Sequence, residues 1–301
     1  MTRHREVRLS DIPVLLEYWG TAPDERHRAT REHEIVFQRS DVLSSAIEEV
    51  TEDETTLVGI LVGAFVNDRF IEASLSDPDP FVLQRIKAWV DAGTSPFYTP
   101  EKLAGRNGSN GLNLLLVTFG MYPQPNGEPE HLIREFLLRR FVEDHAGWNI
   151  RHLMAETVSL TQATQLERQG WTVRNAYPAY HKEFPHEQVR LLTIDREAAL
   201  LGHDYFLARF FTYREPPTTL TKGEKELLRA ARFGARTDDH LAEMFAVGRD
   251  SIKQRWKGIY EKLRSAEPAL FPELSAAGGR GPERRRVLIE YARNHPEILW
   301  P

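Results

Sequence analysis

The chain has 301 residues, 41% of them apolar and 28% charged, with a net charge of −5, a length that accommodates two domains with separate cores. It contains no cysteine, which excludes disulfides, thiolate metal sites and cysteine nucleophiles. No run of about 20 apolar residues is present, which argues against a membrane-spanning helix, and the amino terminus MTRHREVRLSD lacks the apolar core of a secretory signal, so a cytoplasmic location is expected. Charge is divided unevenly: residues 216–301 carry 16 Lys or Arg against 12 Asp or Glu, and the remainder carries 23 against 32. Only the carboxy-terminal part suits a polyanionic partner.

Residues 7–19 read as a short strand, a cap at Asp11 and an amphipathic helix with Val14, Leu15 and Tyr18 inward. Arg26, Arg28 and Arg31 alternate with Glu25 and Glu32, the pattern of a solvated helical face laced with ion pairs, with an anion site as the alternative. Residues 57–65 and 111–119 are apolar and rich in branched side chains, as buried strands are. Between them a helix is expected near 80–90, and then a surface loop over 93–111, a stretch rich in Gly, Ser, Pro and Asn. A helix follows at about 128–145 with Leu132, Ile133, Phe136, Leu137, Phe141 and Val142 buried, then a strand at 150–158, a helix at 161–169 and a strand at 171–174. Such alternation argues for a mixed α/β layer. His131, His145 and His152 with Glu143, Asp144 and Glu156 invite a metal, but their spacing forms no HExxH, and His145 and Asp144 sit at a helix end where a cation is welcome without one. Tyr177, Tyr180 and His181 read as an edge strand with stacked aromatics, a ligand pocket being the alternative.

This order of elements, and the ending Gln169-Gly170-Trp171, resembles the GNAT acetyltransferase fold over roughly residues 5–185. The resemblance implies a pyrophosphate-binding turn for a CoA ester at Gln124, Asn126 and Gly127, where backbone N–H groups meet a helix start. Two departures weaken it. Glu128 brings negative charge to a phosphate nest and Pro129 removes a donor. Leu166 stands at the position where the family has a thiolate-protonating Tyr, and leucine donates no proton, so no catalytic residue is expected.

A connector with Pro216 and Pro217 precedes the segment 220–263. There Thr221 and Glu224 form a capping box, with Leu227, Leu228 and Ala231 as a buried stripe and Gly234 as a stop. Thr237 and Asp238 cap a second short helix, and Ile252, Trp256, Ile259, Tyr260 and Leu263 mark the packed face of a third. The segment resembles the LuxR-type, or GerE-like, helix-turn-helix. That resemblance implies a DNA-facing set of Arg249, Asp250, Ser251, Lys253 and Gln254, and Lys257 lies on the same polar face. Asp250 departs from it by placing a carboxylate toward phosphates. Arg280, Arg284, Arg285 and Arg286 begin a last helix that packs on this unit or adds phosphate contacts.

The expectation is thus an α+β protein: a GNAT-like mixed α/β domain at 1–190, a connector at 191–217, an all-α helix-turn-helix at 218–265 and a helical extension at 266–301. Its expected function is that of a homodimeric, sequence-specific regulator of double-stranded DNA, responsive to a small-molecule signal, with no resident cofactor, no membrane contact and no catalysis. The alternatives are an active acyl-CoA-dependent acyltransferase joined to a DNA-binding module, and an acyl-CoA sensor.

Overall fold

The run 57–66 is too apolar for a strand with one wet face, and it lies fully buried near the centre of a seven-stranded sheet in the computed structural model, which describes residues 2–39, 42–52, 54–122, 127–177, 188–202, 205–232, 237–271 and 281–299. The chain divides into two units, one of residues 1–145 and 149–212, the other of residues 146–148 and 213–301.

The first unit runs β1 (Thr2–Arg5), α1 (Ile12–Tyr18), α2 (Pro23–Phe37), β2 (Leu43–Val50), β3 (Thr55–Val66), α3 (Asp68–Ser76), α4 (Val82–Asp91), α5 (Pro100–Asn107), β4 (Leu112–Met121), α6 (Glu130–His145), β5 (Ile150–Thr157), α7 (Leu160–Arg168), β6 (Thr172–Ala176), β7 (Arg190–Asp195), α8 (Arg196–Leu201) and α9 (Tyr205–Phe211). Strand order is β1-β2-β3-β4-β5-β7-β6. Every pairing is antiparallel except β4 with β5, which α6 joins as a crossover. The expected mixed α/β layer is therefore what forms.

Two glycines let α6 lie close on one face of β3. A Cβ at Gly59 would fall 2.9 Å from Leu137 Cδ1, and one at Gly63 would fall 3.0 Å from both His145 Nε2 and Phe141 Cε2. The opposite face carries Ile60, Val62, Ala64 and Val66 into a core with Leu15, Val36, Phe70, Ile86, Leu115, Met154, Tyr177 and Leu191.

Several expectations are corrected. The first strand is Thr2–Arg5, ahead of Val7. In α1 the inward residues are Ile12, Leu15 and Leu16, whereas Val14 and Tyr18 are exposed. Asp11 makes no side-chain cap for α1; its carboxylate instead accepts from Arg8 N and the Arg5 guanidinium, each at 2.7 Å. The stretch 93–111 is no continuous loop: the Thr99 hydroxyl accepts from Lys102 N and Pro100 opens α5, whose Leu103 is buried. Leu132 and Phe136 of α6 are partly exposed rather than buried. The ion-paired face of α2 is present, with Arg28 beside Glu25 at 3.4 Å and Glu32 at 3.8 Å. Among the aromatic residues after β6, Tyr177 is buried, while Tyr180 and His181 lie outside the described residues.

In the second unit the described helices are α10 (Lys222–Arg232), α11 (Asp238–Met244), α12 (Arg249–Ala266) and α13 (Gly281–Asn294). The capping box is formed: Thr221 N donates to Glu224 Oε2 at 2.6 Å and Glu224 N to Thr221 Oγ1 at 3.3 Å. Glu224 also accepts from Lys262 at 2.7 Å, tying α10 to α12. Ile252, Trp256, Ile259 and Leu263 are buried, and the Trp256 indole donates to Asp238 at 3.2 Å. Arg285 of α13 pairs with the same Asp238 at 2.8 Å and stacks over Trp256, while Arg284 lies over Tyr260. The helix packs within the unit, but these two arginines are engaged there rather than solvated, as the plainer reading of the tail had them.

Candidate functional site

A parallel strand pair normally keeps its ladder to the end of the shorter strand; β4 and β5 do not. Their pairing runs from Leu112 opposite Ile150 to Leu116 opposite Ala155 and stops there. Beyond it β4 continues to Met121, still paired with β3, while β5 is held by β7 as far as Thr157. Past Leu116 and Ala155 the ladder is therefore open, and the edge of residues 117–121 on the β5 side has no strand partner among the described residues, a wedge in the sheet's hydrogen bonding.

An irregularity sits where the wedge opens. Gly63 opposes Leu116 and Val62 opposes Thr118, so Val117 is an extra residue in β4. A bulge of this kind re-aims the side chains that follow it. Simple alternation from Leu116, which faces α6 like its partner Gly63, would place Thr118 on the α6 face. The bulge moves it to the other, because side chains directly opposite on antiparallel strands share a face and Val62 belongs to the core away from α6. Gly120, opposite Ile60, follows on that face: a Cβ there would lie 2.5 Å from the Tyr122 hydroxyl oxygen. Tyr122 is buried and packs edge-on against the exposed ring of Tyr18, centroids 4.3 Å apart. Burial pushes its hydroxyl above the ordinary phenol range.

Across the wedge, Glu156 follows Ala155 on β5. Its carboxylate accepts from Phe81 N at 3.0 Å and Val82 N at 2.6 Å, closing the start of α4. Burial raises this carboxyl above the usual range, against the N–H donors and the nearby Arg85, which lower it. Phe81 holds φ at +73°, a left-handed conformation that costs a non-glycine residue energy and survives where its surroundings fix it. Asp77 binds buried Arg85 at 2.7 Å, and Asn175 of β6 donates to Leu75 O at 3.0 Å, so the segment between α3 and α4 is fastened to β5 and β6.

Of the residues expected to hold a CoA ester, Gln124 and Asn126 lie outside the described residues, and Gly127 stands three residues before α6. Glu128 and Glu130 are exposed there, and Glu130 pairs with Arg134 at 2.5 Å. Leu166 lies on α7. Residues that sequence reasoning did not single out for a site are Thr118 and Tyr122, and Glu156 was weighed only as a metal ligand. Gly120, inside an otherwise apolar run, was the one written sign of a close approach. The expected DNA-facing residues Arg249, Asp250, Ser251, Lys253, Gln254 and Lys257 all lie exposed on α12. Their cations are met by carboxylates: Arg249 with Asp239 at 3.4 Å, Lys253 with Asp250 at 2.9 Å and Lys257 with Glu261 at 3.8 Å. A face so paired offers phosphates little net charge.

No family model matches the chain, and no curated protein matches it. Solved structures similar to it include Arabidopsis thaliana NAA60 in complex with acetyl-CoA, at 14% identity over 65% of this chain and 99% of that one with a TM-score of 0.40. Ribosomal-protein-S18-alanine N-acetyltransferase from Escherichia coli is similar at 9% identity over 68% and 98%, TM-score 0.38. IAA acetyltransferase from Bacillus cereus is similar at 14% identity over 65% and 99%, TM-score 0.34. At these values the likeness carries no argument about substrate or chemistry. The expectation of a LuxR-type DNA-binding regulator without enzymatic activity is corrected: N-acetyltransferases are among the similar structures, and no comparison supports DNA binding.

Proposed function

We propose that the first unit is an acyltransferase that takes its acyl group from a CoA thioester. The observation that carries this reading is the parting of β4 from β5 at the Val117 bulge. A strand edge inside a sheet, with backbone donors and acceptors turned into a gap, suits an extended chain that brings amides of its own, as the arm of CoA does. The fit is good along this arm and poorer at α6, where Glu128, Glu130 and Pro129 stand at the helix start that would meet the pyrophosphate. The thioester supplies an activated acyl carbon. The acceptor's lone pair forms the new bond to that carbon as the C–S bond breaks, and the proton lost by the acceptor leaves with the sulfur as a thiol. Glu156 acts as a positioning residue, since both of its oxygens are engaged in holding the start of α4. An amine is the acceptor by name in the Escherichia coli relative, and it is the class to test first.

The test uses the purified full chain with acetyl-CoA and longer CoA thioesters, and a panel of amines that includes amino acids, polyamines and peptides with free amino termini. Amine-dependent release of thiol is expected. The reading fails if no thioester raises the melting temperature and no thiol is released.

A further inference from the structure

Thr118 carries a hydroxyl that the fold leaves without a hydrogen-bond partner among the described residues. The residue is 2% exposed, and its Oγ1 is inaccessible to solvent. A buried hydroxyl in this state costs stability, and nearly all such groups in folded proteins find partners. Valine has the same shape without that cost, so packing alone gives no reason for threonine. Position supplies one. Thr118 is the first residue after the Val117 bulge, is turned by that bulge away from α6, and stands on β4 where β5 no longer pairs. Gly120 follows on the same face, where the absence of a side chain makes room for the Tyr122 hydroxyl.

Resting on the acyltransferase reading above, we propose that Thr118 is a catalytic hydrogen-bond donor, its hydroxyl pointing to the carbonyl oxygen of the bound thioester. As the acceptor's lone pair adds to the acyl carbon, the carbonyl π pair moves onto that oxygen. The O–H of Thr118 meets the charge there without moving, and when the C–S bond breaks the pair returns and the proton stays on Thr118. A donor held ready in a dry site strengthens as charge gathers, so its removal is felt in turnover more than in binding.

The experiment compares the wild-type chain with Thr118→Val and Thr118→Ser, using acetyl-CoA and the best amine of the panel. Thr118→Val is expected to melt at the same temperature as wild type or higher, to keep its KM for acetyl-CoA, and to lose about 100-fold in kcat. Thr118→Ser should recover most of the rate. Undiminished kcat in Thr118→Val overturns the proposal, since the hydroxyl then serves no more than a bound water. A marked fall in its melting temperature also overturns it, because the hydroxyl would then be paired and structural. A wild-type chain that binds no thioester and releases no thiol removes the acyltransferase reading and this proposal together, an outcome distinct from the other two.

Discussion

Gly63 is a residue at which the sheet and α6 leave no room for a side chain. An alanine there would set its methyl 3.0 Å from the His145 and Phe141 rings, and rings in a filled core do not yield cheaply. We expect Gly63→Ala to cost about 1 to 3 kcal/mol, read as a lower urea midpoint with an unchanged slope. His145 has its own signature. It is 1% exposed, its Nδ1 lies 2.8 Å from Phe141 O, and burial lowers its pKa to about 3. Between pH 6.5 and 3 the unfolded chain therefore binds a proton that the folded chain refuses, so this residue destabilises the fold as pH falls below 6.5, by about 1.4 kcal/mol per unit. In His145→Leu the loss of stability from pH 6.5 to 5 should be shallower by about that slope. Equal slopes in the two proteins would place the proton elsewhere.

Among the elements, α4 depends on a strand it does not follow in sequence. Glu156 of β5 answers two of its N–H donors and holds Phe81 in its left-handed turn. Glu156→Ala leaves those donors without the carboxylate and should cost about 1 to 3 kcal/mol, with faster amide exchange confined to residues 81–85; exchange spread evenly over the unit would contradict the assignment. What the sequence disclosed and what it hid both follow from the range of the forces. The long apolar runs at 57–65 and 111–119 and the Thr221–Glu224 box rest on neighbours within a few residues, and they form. β2 escaped notice because Ser44, Ser45, Glu48 and Glu49 interrupt its apolar residues; Ser45 is satisfied by groups distant in the chain, donating to Asp144 of α6 at 2.8 Å with His4 Nε2 3.2 Å away. The composition of 93–111 concealed α5, whose start lies in the pair Thr99-Pro100. The bulge and the wedge were illegible for a deeper reason: both are relations of register between β4 and strands distant in the chain, and no local pattern records them.

At the scale of the whole chain, the two units supply separate reporters. A thioester that binds the first unit at 100 times its dissociation constant should add about 2.7 kcal/mol to the stability of that unit and nothing to the second. Calorimetry that resolves two transitions should show one of them moving with ligand. Equal movement of both would mean that the site is not confined to the first unit.

The parted strands carry one more consequence, for solubility. An outer strand with bare amides is an invitation to stacking with other copies, and proteins blunt such rims with charge, proline or short length. Here the bare rim lies indoors, between strands that are themselves held by β3 and β7. A second sheet cannot reach a rim enclosed in this way, so these amides escape the fibre-forming hazard that the same rim would bring at the margin of the sheet.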